Sequence, residues 1–283
     1  MPSGASSTPS WTTRPTRSPP PRAPCRTHRG CGRTTSSSGS ASERGRLYAG
    51  TSGFSYPGWA PAFYPVGTRA GALLPAYAAR LPACELNSTF RRQPTPDLVA
   101  AWSAATPATF RFTVKAQRGG SLRALLSDPE GTLPWLLGPL GGFGERLGSV
   151  LFRVPAEIER DEGRLARLLA SWPREVPLTL DFQHPSWAWD DVHALVASAG
   201  AALCATDLDD ADVPTVRLTA PFLYLRLRRA SYSPADLAAW ADRIRPFLDA
   251  GHDVFAFFRH DETGESALRA IELGRLLEGT TTG

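Results

Sequence analysis

The chain carries 31 basic residues, and thirty of them are arginine. The single lysine, Lys115, closes an apolar alternation, Phe110-Arg-Phe-Thr-Val-Lys115. A planar guanidinium stays charged, whereas a compact ammonium loses its proton when desolvated and then serves as a base, a Schiff-base former or a phosphate contact. One lysine kept at a strand end in so arginine-rich a chain predicts a task that arginine cannot do; survival by chance is the alternative. Other polar residues end short apolar runs in the same way: Thr51, Glu85 with Asn87, Arg153, Asp181 with Gln183 and His184, Asp207, Arg226 with Arg228, and Arg259 with His260. Side chains alternate along a strand, so Glu85 and Asn87 are expected to share a face, as are Asp181 and Gln183, and Arg226 and Arg228. If those faces meet at one rim, Glu85 is the expected general base, Lys115 and Arg226 stabilise charge, and His184 is acid or ligand. The competing reading is a structural network in which opposite charges neutralise one another.

A second stretch bears on the same rim. Residues 50–65 hold three glycines, three prolines and five aromatics, the pattern of an ordered surface loop. Tyr56 and Trp59 in it either contact a ligand or plug the mouth of the fold. His184, in Asp181-Phe-Gln-His-Pro-Ser-Trp187, either accepts a proton or belongs to a strand-to-helix turn capped by Ser186. A divalent-metal site is conceivable from Glu85, Asp181, His184, Asp207 and His260, but no H-x-x-E-H or H-E-x-x-H spacing supports it. The Gly-rich segment 138–148 fits no phosphate-loop spacing, and there is no G-x-S-x-G elbow.

These residues need elements to position them. Strand patterns fall at 47–51, 83–89, 109–116, 149–154, 177–183, 201–207, 222–227 and 253–258, with helical patterns near 71–81, 96–105, 121–137, 160–172, 188–199, 234–250 and 264–278. Thr95-Pro96 and Ser233-Pro234 are helix starts, and Gly200 and Gly251 are stops. Runs such as Phe222-Leu-Tyr-Leu225 are apolar at consecutive positions, as parallel strands covered on both faces require. Eight such alternations predict an α/β fold, a single TIM-type (β/α)8 barrel. Between the sixth and seventh strands, 208–221 holds three aspartates and two prolines, so a loop is expected in place of a helix.

Charge divides the chain. Residues 1–46 hold eight arginines and one glutamate, leaving 23 basic against 26 acidic residues in 47–283. The first segment is rich in Ser, Pro and Arg and poor in aliphatics, and is expected to be a disordered extension of a barrel domain spanning 47–283. An acidic body argues against broad nucleic-acid binding through surface charge, though a local basic rim can hold a strand. Cys25, Cys31, Cys84 and Cys204 form no C-x-x-C pair, and Cys84 and Cys204 read as small hydrophobes. The absence of a secretory apolar segment or a transmembrane run gives a cytoplasmic expectation with no membrane partner.

The order Gly50-Thr-Ser-Gly-Phe-Ser-Tyr56, Trp59, Phe63-Tyr-Pro65, Glu85-Leu-Asn-Ser-Thr-Phe90, Phe110-x-Phe-x-Val-Lys115, Leu151-Phe-x-x-Pro155, Asp181-Phe-x-His-x-Ser-Trp187, Tyr224-x-Arg-Leu227 and Phe255-Ala-Phe257 resembles the YecE-like family, the domain of unknown function 72, over residues 47–278. The resemblance implies a TIM-type barrel in cytosolic microbial proteins and no established reaction. Glu-x-Arg-His is usual in the family where Asp181-Phe-Gln183-His184 stands, a glutamine where Arg153 stands, Arg-x-His-Gly where Arg226-Leu-Arg228-Arg229 stands, and paired asparagines where Arg259-His260 stands. The first-strand loop, Glu85, Asn87, Lys115 and His184 carry over, marking a divergent member.

The expectation is therefore a barrel binding a small anionic, phosphorylated or nucleic-acid-derived ligand at its C-terminal rim, as a hydrolase or lyase. Its catalytic residues are Glu85, Lys115 and His184, and its ligand contacts Thr51, Tyr56, Trp59, Asn87, Asp181, Asp207, Arg226 and Arg228. The alternative is a non-catalytic binding module that has lost an ancestral activity.

Overall fold

Strands that are apolar on both faces bury both when they close into a ring inside a layer of helices. The chain does this in a computed structural model that describes residues 43–278. Eight parallel strands close in sequence order: β1 (Leu47–Ser52), β2 (Ala83–Leu86), β3 (Arg111–Lys115), β4 (Leu147–Val154), β5 (Leu178–Phe182), β6 (Ala202–Asp207), β7 (Phe222–Leu227) and β8 (Asp253–Phe258), with β8 pairing back onto β1. The helices are α1 (Leu73–Ala78), α2 (Pro96–Ala104), α3 (Arg118–Leu126), α4 (Pro129–Leu137), α5 (Glu162–Ser171), α6 (Asp190–Ser198), α7 (Pro234–Asp249) and α8 (Glu265–Glu278).

The alternation of side chains sorts the core into two apolar clusters. Tyr48, Ala83, Leu151, Ala202, Tyr224, Phe255 and Phe257 fill the barrel, while their outward neighbours, among them Ala49, Cys84, Phe152, Ala205 and Leu225, pack under the helices. Polar side chains occupy part of the interior as well: Ser149 and Thr179 meet at 2.7 Å, and Thr113 meets the Tyr224 hydroxyl at 2.9 Å. At Gly50 a Cβ would lie 2.0 Å from the Ala83 carbonyl oxygen, so β1 approaches β2 only because the residue is glycine.

The barrel expectation holds, as does the loop at 208–221, which contains no helix. Boundaries differ where local chemistry intervened. The helical pattern at 121–137 is two helices, because Asp128 accepts a bond from Gly131 N and starts α4 afresh. The second strand stops at Leu86; Asn87 is helical in backbone and leads a short turn over Ser88–Phe90, so it is not a same-face partner of Glu85. Most of the expected 1–46 extension lies outside the described residues. Its last residues are tied to the barrel: Arg44 pairs with Asp249, and Arg46 N donates to Asp253.

Candidate functional site

Strand parity decides which polar residues meet. Ser52, Glu85, Lys115, Arg153, Asp181, Arg226 and Arg228 belong to the inward series that includes Tyr48, Ala83, Thr113, Leu151, Thr179 and Tyr224. They sit at the C-terminal ends of their strands. Thr51 and Asp207 belong to the opposite series.

Glu85 is the hub. Its carboxylate accepts from Ser52 Oγ (2.8 Å), Tyr224 OH (2.8 Å), Arg226 Nε (3.1 Å) and Arg226 Nη2 (3.0 Å), and the residue is 0% exposed. Burial alone pushes such an acid up, but the Arg226 charge and these bonds outweigh it and hold Glu85 at about 2. A carboxylate this firmly ionised and surrounded by donors is a poor proton acceptor near neutral pH, which weighs against Glu85 as the general base. Arg226 is 3% exposed and turns Nη1 to Asp181 Oδ2 at 3.1 Å, so one guanidinium binds two carboxylates. Burial lowers its basicity, but Glu85 and Asp181 reverse this and raise it.

The remaining cations are held less closely. Arg228 Nη1 donates to Ser52 Oγ at 3.1 Å; burial, then the charge of Arg226, with Arg259 and Arg153 adding to it, weakens its hold on its proton. Arg153 Nη2 donates to Gln183 Oε1 at 2.7 Å, and its Nε stays 3.9 Å from Asp181 Oδ2. Lys115 Nζ lies 4.1 Å above the Phe90 ring, and among the described residues no carboxylate oxygen comes within 4.0 Å of it. Burial, then the charges of Arg226 and Arg153, brings Lys115 down to about 8. Lys115 and Glu85 therefore face the same interior, as the ring required.

Other expected contacts fall elsewhere. Thr51 faces outward: its backbone N–H donates to Tyr77 OH at 2.8 Å, beneath α1. Asp207 faces α7, accepting from Arg229 Nε (3.1 Å), Tyr232 OH (3.0 Å) and Trp240 Nε1 (3.0 Å); it braces the outer layer and is corrected from rim contact to structural anchor. Trp59 is fully buried and its Nε1 donates to Asp261 O at 2.8 Å, the plug reading of the aromatic loop. Tyr56 stacks on His260 at 5.0 Å. It also lines, with Phe54, Asn87, Ser88 and Trp102, a cavity of about 430 Å³ beside the β1 and β2 ends. Asn87 Oδ1 is buried there without a partner.

His184 lies in a separate cavity of about 260 Å³, with His193, Cys204, Thr215 and Arg217. The ladder between β5 and β6 ends after Thr179–Ala202 and Leu180–Leu203, and the cavity adjoins those strands. His184 Nδ1 accepts from Ser186 N at 3.2 Å, so the histidine itself caps the turn over Pro185–Trp187. Among the described residues no group of three or more His, Cys, Asp or Glu, the conceivable metal set included, is placed to hold a cation. Cys84 and Cys204 are free, and burial raises both thiols. Among the described residues no helix is long and apolar enough to cross a membrane.

Sequence reasoning missed Ser52 and Tyr224. The alternation on β1, with Tyr48 and Gly50 inward, is the signal that selects Ser52 over Thr51. Tyr224 reads as core, and only its hydroxyl reaching β2 and β3 gives it a polar role.

With this geometry in view, comparison with known proteins places the chain. Residues 48–283 match the family described as "Protein of unknown function DUF72". The chain belongs to that family. A DUF72 family protein of Thermotoga maritima shares its fold at a TM-score of 0.71 and 23% identity, covering 82% of this chain and 99% of the other. A DUF72 family protein of Enterococcus faecalis does so at 0.66 and 18%, covering 83% and 99%. No curated protein matches.

Proposed function

We propose that the C-terminal mouth of the barrel binds a small anionic ligand, a carboxylate or phosphate. One observation carries this reading: the mouth holds more cation than it neutralises. Four cations, Lys115, Arg153, Arg226 and Arg228, stand at the inward strand ends with two carboxylates, Glu85 and Asp181, and burial, then the charge of Arg226, loosens the protons of Lys115 and Arg228. Excess positive charge in a half-dry cleft is costly alone and is relieved by an anion. Arg153 and Arg228 offer N–H forks for two oxygens, and Lys115 a point charge. A small ligand is favoured over a long nucleic acid by the acidic balance of residues 47–283.

The hydrolase form that depended on Glu85 as base loses that support, since four donors already occupy its carboxylate. Lys115 is the group suited to proton transfer or nucleophilic work, and a binding module that performs neither is the second reading.

Thermal unfolding of the purified chain in inorganic phosphate, sulfate and pyruvate tests the proposal. The expected result is a rise in midpoint that grows with ligand concentration, diminishes at high sodium chloride and is lost in Arg228→Met. A midpoint insensitive to all three anions would remove the reading.

A further inference from the structure

We propose that the anion taken at the mouth also carries a carbonyl group, as in a 2-oxo acid or a phosphorylated aldehyde or ketone, and that Lys115 condenses with that carbonyl to form a Schiff base. The proposal rests on the anion-binding reading above. Four observations point to it. Lys115 is the chain's single lysine, and a role limited to positive charge is filled elsewhere in this mouth by arginine. The residue is 7% exposed, and its nitrogen is not among the sealed polar atoms that lack partners, so a small molecule can touch it. It has no ion-pair partner within 4.0 Å among the described residues; the Phe90 ring 4.1 Å away fixes its direction, and burial beside Arg226 and Arg153 favours the neutral amine. Phe90, the ring the amine overlies, also walls, with Arg153, Arg118, Pro155, Glu157 and Gln183, a cavity of about 270 Å³, room for a small acid.

Arg153 then holds the carboxylate or phosphate, and the carbonyl carbon faces the amine. The lone pair of neutral Lys115 forms the C–N bond while the carbonyl π pair moves to oxygen, which takes a proton. The nitrogen gives one proton to solvent, the oxygen takes a second and leaves as water, and a protonated C=N bond remains. No electrons are gained or lost overall, and the product keeps the single positive charge of the original ammonium. A lysine near 8 leaves roughly a tenth of the amine neutral at pH 7, enough to start the sequence. The protonated C=N draws electrons from the adjacent carbon, which is the chemistry of lyases.

Reductive trapping tests this on the full chain. Pyruvate, glyoxylate and dihydroxyacetone phosphate are incubated separately with the protein and sodium cyanoborohydride at pH 7, then the product is analysed by intact mass and peptide mapping. The expected product is one reduced adduct on Lys115 with at least one of the three, formed at least about tenfold faster in the folded chain than in urea, because the unfolded lysine is almost wholly protonated. Lys115→Arg should lose the adduct, and Arg153→Met should need about tenfold more carbonyl compound. Mapping the unaltered chain keeps the test independent of whether either variant folds. An adduct confined to the N-terminal amine, or faster labelling in urea, overturns the proposal. If phosphate raises the unfolding midpoint but none of the three compounds labels Lys115, the Schiff base falls and the anion site stands; if neither occurs, both fall.

Discussion

At the scale of single residues, Lys115 shows how an environment remakes a side chain. Its ammonium is buried beside Arg226 and Arg153 and stays charged at neutral pH at the expense of the fold. The folded value of about 8 lies below the reference of 10.5, so the unfolded chain binds more protons between them and stability rises with pH through that window. Below pH 8 both states are protonated and the full cost remains. Lys115→Met should therefore be more stable than the parent at pH 7, by up to about 3 kcal/mol, with the advantage shrinking towards zero as pH approaches the reference value. Urea unfolding across pH 7 to 10 measures it, and an advantage that does not change with pH would show that the amine is not held as described. Glu85 shows the opposite case, an acid kept ionised by its donors. The sequence placed both residues at strand ends, yet only their partners distinguish a working amine from a fixed carboxylate.

At the scale of elements, the outward face of β1 is held by α1. Tyr77 OH accepts from Thr51 N at 2.8 Å and donates to Ala83 O at 3.0 Å, joining the helix to β1 and β2 at once. Tyr77→Phe leaves a buried strand N–H without its partner and should cost about 1–3 kcal/mol, lowering the thermal midpoint by roughly 2–4 °C per kcal/mol in a domain of this size. Calorimetry checks this, and an unchanged midpoint would mean that the hydroxyl is not part of the strand junction. The same junction explains why Thr51 was misplaced: a threonine at a strand end looks equally suited to either face until the inward neighbours are counted. Asp207 was misplaced for the same reason, since its donors Tyr232, just before α7, and Trp240, on α7, lie 25 and 33 residues further along the chain. The β6–β7 loop was legible because two prolines and three aspartates within fourteen residues disfavour a regular helix.

At the scale of the whole molecule, the Glu85 network is a cross-brace. Through Ser52, Tyr224, Arg226 and Asp181 it joins β1, β2, β5 and β7 across the interior. Glu85→Gln leaves Arg226 buried with one carboxylate and should destabilise the barrel by about 3–5 kcal/mol. Because Glu85 is held at about 2, below its reference of 4.5, its contribution is complete above pH 4.5 and is lost as pH falls towards 2. Chemical denaturation of parent and variant from pH 2 to 7 should show their difference closing in that window; a constant gap would place the stability elsewhere. The sequence by itself determined the ring of eight strands, the missing helix and the concentration of polar residues at strand ends, because periodicity and turn chemistry act over a few residues. The tertiary structure alone decided which of those residues look inward. A shift of one position along a strand reverses the face, and only closure of the barrel brings Glu85 of β2 against Arg226 of β7, 141 residues apart, while leaving Lys115 without a carboxylate of its own.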